Sequence, residues 1–286
     1  MFVIIGFLVV SGSIIGGYLM LGGHLPILFQ PAEIVIIGGS GIGAFIASNK
    51  KETIAGAISG MTGLLKGPKY KPDDYFELLT LQYQVFRMAK SKGMLALETH
   101  IENPEGSALF SQFPNFTADH HAVEFFCDYL RLMTLGTDNP LEVETLIDQE
   151  LDLHHEQKHE IAHALTTLAE SFPGLGIVAA VLGVIHTMGS ITEPPEVLGH
   201  LIGAALVGTF LGILLCYGFV GPLAVAVKGM YDTDHNYYVC LKTGIIAHLQ
   251  GYAPSVSVEF ARKTLAENVR PSFLELEEAT SVLSPV

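Results

Sequence analysis

Pro173, Thr209 and Pro222 interrupt two runs that contain no Asp, Glu, Lys or Arg, Phe172–Thr192 and Val197–Val227. In a membrane helix a proline frees a backbone carbonyl and creates a hinge. A threonine hydroxyl bonds back to its own helix or to whatever polar group it meets. Taken singly, each is as readily structural: a proline in a helix's first turn costs no hydrogen bond, and another can simply end a span. Together, two prolines bracketing an uncharged hairpin with a hydroxyl inside point to a hinged path through a bilayer. Such a path for ions normally needs an ionisable residue, and neither run has a carboxylate. His186 in the first run, and His200 and Tyr217 in the second, are the titratable candidates. The acid is therefore expected on a partner, which implies a hetero-oligomer.

Two further patterns imitate known sites without their setting. His155-Glu156-Gln157-Lys158-His159 and His159-Glu160-Ile161-Ala162-His163 both match H-E-x-x-H, a zinc-protease spacing. The overlap puts three histidines on one helix stripe, but no third ligand or cleft is visible. A solvated face that gains charge below about pH 6.5 accounts for them more simply. Gly38-Gly39-Ser40-Gly41-Ile42-Gly43 resembles a phosphate loop, but its flanks read as a membrane span rather than as strand and helix. Gly39-x-x-x-Gly43, Gly12-x-x-x-Gly16 and Gly208-x-x-x-Gly212 fit close helix packing better.

The elements that position these residues are membrane helices. Only Glu193-Pro194-Pro195-Glu196 separates the two runs, and each exceeds the roughly 20 residues that cross a hydrocarbon core. A first hairpin fits Phe2–Leu21, a turn over Gly22–Pro31, and Ile34–Ser48, whose short second arm is expected to tilt or to continue past Lys50. The first arm lacks the basic start and cleavage pattern of a signal peptide. The composition agrees: 49% of residues are hydrophobic and only 15% charged, against about 25% in soluble domains. Ten of the 15 Lys and Arg fall between Lys50 and Lys158, five lie from Lys228 onward, and neither hairpin turn has any. The positive-inside rule then puts both turns outside and both termini in the cytoplasm. A net charge of −14 argues against nucleic-acid binding and fits either solubility or a basic docking partner. The three cysteines, Cys127, Cys216 and Cys240, indicate no disulfide framework.

Between the hairpins, Pro72-Asp73-Asp74 with Glu77 reads as a capped helix start, and Gly93 as its end. Helical apolar spacing returns over 122–133. Asn139-Pro140 with Glu142 begins a helix that runs on into the third span. The expected class is all-α, in four segments: a membrane hairpin (1–49), a cytoplasmic helical region (50–171), a second hairpin (172–227) and a cytoplasmic tail (228–286).

Five stretches in this order resemble the MotA family of flagellar stator subunits, within the MotA/TolQ/ExbB superfamily. They are GGYLMLGGHLPILFQPAEIVIIGGSGIGAFI (16–46), MAKSKGMLALETHIENP (88–104), FPGLGIVAAVLGVIHTMGS (172–190), VGTFLGILLCYGFVGPLA (207–224), and the tail GYAPSVSVEFARKTL with RPSFLELEE. The resemblance implies a ring, thought to be of five subunits, around two MotB subunits in the bacterial inner membrane. It implies a MotB aspartate that carries the ion, and a cytoplasmic face that pushes the rotor protein FliG. It implies an ion path at Pro173, Ala180, Thr209, Tyr217 and Pro222. Ala180 stands where sodium-driven relatives tend to carry threonine, so the implied coupling ion is the proton. Lys90, Lys92, Glu98 and Glu150 are the implied rotor-facing residues. No enzyme activity, metal or cofactor is implied. The competing reading is a TolQ/ExbB-type energiser of a periplasm-spanning partner.

Overall fold

The computed structural model describes Phe2–Leu283. Its helices are α1 (Phe2–Met20), α2 (Leu25–Leu28), α3 (Pro31–Ile34), α4 (Ser40–Ser48), α5 (Lys51–Lys66), α6 (Pro72–Lys92), α7 (Glu98–Glu102), α8 (Pro114–Thr117), α9 (His120–Thr134), α10 (Pro140–Met188), α11 (Pro195–Leu214), α12 (Gly221–Leu249), α13 (Pro254–Lys263) and α14 (Phe273–Val282). Two π turns, Val35–Gly39 and Leu215–Val220, join α3 to α4 and α11 to α12. No strand occurs among the described residues, in line with the all-α expectation. Four stretches are long and apolar enough to span a membrane: Phe2–Met20, Leu25–Ser48, and parts of Pro140–Met188 and Pro195–Leu249.

The second span differs from its expected bounds. It gains length at its start, over Leu25–Ile34, instead of running past Lys50. Pro26 and Pro31 sit in the first turns of α2 and α3, where a missing N–H costs nothing, so half of the expected turn is helical. At the other end the Ser48 hydroxyl and the Asn49 amide donate to the Ala44 and Phe45 carbonyls. That satisfies the last carbonyls of α4, and Asn49 turns extended.

The chain packs as two units, Met1–Gly67 with Glu156–Tyr231, and Pro68–His155 with Asp232–Val286. In the first, α5 buries Thr53, Ala57 and Gly60 along one face, and Ala57 joins Leu165, Ala224, Val227 and Tyr231 in an apolar cluster. A Cβ at Gly60 would stand 2.7 Å from the Tyr231 hydroxyl and 3.0 Å from Val227 Cγ1, so any larger residue would have to displace those side chains. Leu8, Val35, Ile185 and Leu206 remain exposed, as expected of helices whose surroundings are lipid or other subunits.

The second unit has an aqueous-type core built on α6, α9, α13 and the end of α12, with Leu78, Leu81, Val85, Phe86, Phe126, Tyr237, Leu241 and Ile245 buried. Tyr70 and Tyr237 stack with centroids 3.7 Å apart. The start of α6 uses Asp74, whose carboxylate accepts from the Lys71 N–H at 2.7 Å. Glu77, expected in the cap, instead accepts from the Phe116 N–H at 2.9 Å and ties α8 to α6. Gly93, at φ +85°, ends α6 in a conformation that a side chain would strain. Asn139 starts α10 as expected, accepting from the Leu141 N–H and donating to Glu142.

Candidate functional site

Small residues bring α10 and α11 into backbone contact. A Cβ at Gly176 would lie 2.8 Å from the Gly208 carbonyl oxygen and 3.1 Å from Gly212 Cα; one at Gly183 would lie 2.7 Å from Ala205 Cβ. Any side chain at Gly176 would push the helices apart. This contact sets Ala180 beside the Gly208–Thr209 turn, since a Cβ at Gly208 would stand 3.1 Å from Ala180 N. Ala180 and Thr209, both half-buried, thus share one level of the hairpin.

Pro173 lies deep inside the 49-residue α10, not in a first turn. The Ala169 carbonyl, four residues back, loses its usual donor there. Pro222 follows the π turn, in which the Gly221 N–H reaches five residues back to the Cys216 carbonyl. A π turn and a proline at one point of a span form a local weakness of the kind found at functional sites. Phe172 and Val220, which lie next to or near the two prolines in sequence, pack with Ile37 and Cys216 in one cluster. Pro173 is half-buried and Pro222 exposed. Tyr217 points outward, 75% exposed. His186 and His200 are exposed as well.

One residue of this site is not apparent from the sequence. The two charge-free runs of the second hairpin, Phe172–Thr192 and Val197–Val227, have no carboxylate of their own, but Glu33 of α3 is only 7% exposed and inserts against them. A Cβ at Gly208 would stand 2.5 Å from Glu33 Oε2, and one at Gly183 3.5 Å from Oε1. The one local signal is a single acid between Pro31 and the apolar run from Ile34. It reads as the rim of a turn while α3 is taken for loop.

In the second unit, Lys90, Lys92, Glu98 and Glu150 are all exposed. The Lys90 ammonium donates to the Gly251 and Tyr252 carbonyls at 3.1 and 3.4 Å, so it also holds the turn after α12. Glu98 opens α7, just beyond the 3-10 turn Met94–Leu97. Glu150 accepts from the Tyr129 hydroxyl. It lines a groove of about 300 Å³ with His121, Glu124, Asp128, His154 and Tyr238. Burial, and then the nearby Lys92, pull His100 below its ordinary value. Of the histidine stripe, His155 and His159 are half-buried and His163 exposed.

Four apolar spans, two in backbone contact and broken by prolines and π turns, define a multi-pass membrane protein built around a helix hairpin. Two family models match the chain: Motility protein A N-terminal over residues 4–93, and the MotA/TolQ/ExbB proton channel family over residues 118–235. The chain is 45% identical over 278 residues to Motility protein A of Salmonella typhimurium, covering 97% of this chain and 94% of that one. It is 32% identical over 274 residues to the chemotaxis protein LafT of Vibrio parahaemolyticus, covering 96% of each. The fold matches the flagellar MotAB stator complex from Bacillus subtilis with a TM-score of 0.73 at 24% identity, over 96% of this chain and 98% of that one. It matches C. jejuni MotAB with a TM-score of 0.78 at 19% identity, over 94% and 98%. The chain belongs to the motility protein A family.

Proposed function

We propose that this chain is a stator subunit of a bacterial flagellar motor, forming with MotB a proton channel whose ion flow turns a ring of these subunits. The observation that carries the reading is the backbone contact of α10 and α11 at the level of Ala180 and Thr209, with Pro173 and Pro222 beyond it. Such a wall is apolar and close-packed, with the Thr209 hydroxyl at the Ala180 level. A partner's carboxylic acid crosses it cheaply when protonated and expensively as an anion. Proline-weakened helices convert the acid's position into movement of the hairpin.

The further parts of the reading rest on sequence. Both termini lie in the cytoplasm and both hairpin turns outside, in the inner membrane, on the distribution of Lys and Arg. Lys90, Lys92, Glu98 and Glu150 face the rotor protein FliG, a role consistent with their exposure. Protons are the coupling ion on the strength of Ala180. The stator reading is favoured over a TolQ/ExbB-type energiser because the match to Motility protein A N-terminal takes in the first hairpin and α6.

The test is restoration of swimming in a bacterium that lacks its own stator, by this chain together with its MotB. Restored motility that a protonophore abolishes and that does not vary with external sodium supports the reading. Failure to restore it with a properly assembled complex refutes it.

A further inference from the structure

The membrane unit holds a carboxyl group that the proposed mechanism does not use. Glu33 Oε2 is buried and accepts no hydrogen bond. The cleft around it is lined by Gly183, Ala205, Gly208 and Ala179, of which Gly208 sits closest to Oε2 and immediately precedes Thr209. Thr187, one turn beyond Gly183, is buried but spends its hydroxyl on the Gly183 carbonyl at 2.9 Å. No Lys or Arg lies in Phe2–Ser48, Phe172–Thr192 or Val197–Val227, and the imidazoles nearest along the chain, His24, His186 and His200, are exposed. An unpaired carboxylate ion in such a place is costly, whereas the neutral acid is tolerated.

We propose that Glu33 is a proton-binding group of the channel, a second acid additional to the one expected on the partner. It would hold a proton in the cleft between Gly183 and Gly208 and pass it along the Thr209 level. The relay part rests on the proton-channel reading above; the proton-holding part does not. Two features argue against a mere packing role. A glycine stands where any side chain would collide with the carboxyl. The carboxyl also makes no hydrogen bond through Oε2 that would anchor a structural acid.

Two measurements on the full complex in vesicles test it. The first is labelling with a hydrophobic carbodiimide, which reacts with a protonated carboxyl. The acid's proton goes to a carbodiimide nitrogen, and the carboxylate oxygen adds to the central carbon. Mass spectrometry should find the adduct on Glu33 at neutral pH and none in Glu33→Gln; an unlabelled Glu33 at neutral pH overturns the proposal. The second is proton flux under an imposed potential, read with a pH-sensitive dye. Glu33→Gln keeps the shape and should lower flux about tenfold or more, with Glu33→Asp recovering part of it and both variants assembling normally. Wild-type flux in Glu33→Gln, with flux lost only in Glu33→Ala, would make Glu33 a packing residue and overturn the relay. If even the wild-type complex carries no protons, the channel reading fails, while the labelling still decides whether Glu33 holds a proton.

Discussion

Pro173 occupies an unusual position for a proline. It lies within a continuous 49-residue helix whose neighbouring Phe172 is buried against Ile37 and Cys216, so the helix persists although the Ala169 carbonyl lacks its usual donor. Alanine there would restore a hydrogen bond and stiffen the helix. Pro173→Ala is expected to insert and assemble normally yet abolish torque; normal swimming of that variant would remove the hinge role. Ala180 makes a separate prediction. It lies at the level of Thr209 without a hydroxyl of its own, so swimming speed should be insensitive to external sodium; a speed that tracks sodium would refute the proton assignment. His248 is also informative at this scale. It stacks on Phe86, and burial, then the Lys90 ammonium, hold it down to about 4. Its ordinary value is near 6.5. Between these the unfolded chain binds a proton that the folded chain refuses. Its contribution to stability is therefore full above about pH 6.5 and lost as pH falls toward 4, by about 3 kcal/mol at most. Glu259, lowered by the hydrogen bond from Arg262, titrates on the acid side as well. The check is the difference in melting curves between wild type and His248→Leu, which should shrink the loss between those pH values.

At the scale of elements, the contact of α10 with α11 is decided by glycines and is intolerant of volume. Gly176→Leu has no space, because the Gly208 carbonyl and the Gly212 backbone occupy the site. Overpacking of this kind typically costs about 1–3 kcal/mol. The variant should melt at lower temperature in detergent and fail to form the assembled complex. An unchanged melting temperature would show that the two spans do not pack this way. The helix starts show how far local sequence reaches. The Asn139 cap of α10 is legible because both of its hydrogen bonds are made within three residues. Glu77 looks like part of the α6 cap because its true partner, the Phe116 N–H, lies 39 residues away. The start of the second span is obscure for a related reason. Pro26 and Pro31 look like turn residues until helix positions are known, and then they are first-turn prolines.

Across the full chain, the class, the four spans and the family were legible in the residues alone. Charge-free runs longer than a bilayer is thick have few alternatives, and the order of motifs along 286 residues is specific. The sequence also supplied Pro173, Thr209 and Pro222, because unusual residues stand out inside apolar runs, whereas Ala180 came from the family resemblance. Which residues meet came from helix packing in three dimensions. It grouped α5 and residues 156–171 with the membrane hairpins. It set Ala180 level with Thr209 and placed a carboxyl from the first hairpin against the charge-free runs of the second. Periodicity and composition report which residues avoid water. They do not report that Glu33 and Gly208, 175 positions apart, share one cleft, because that proximity arises from helix packing and not from any local preference of the chain.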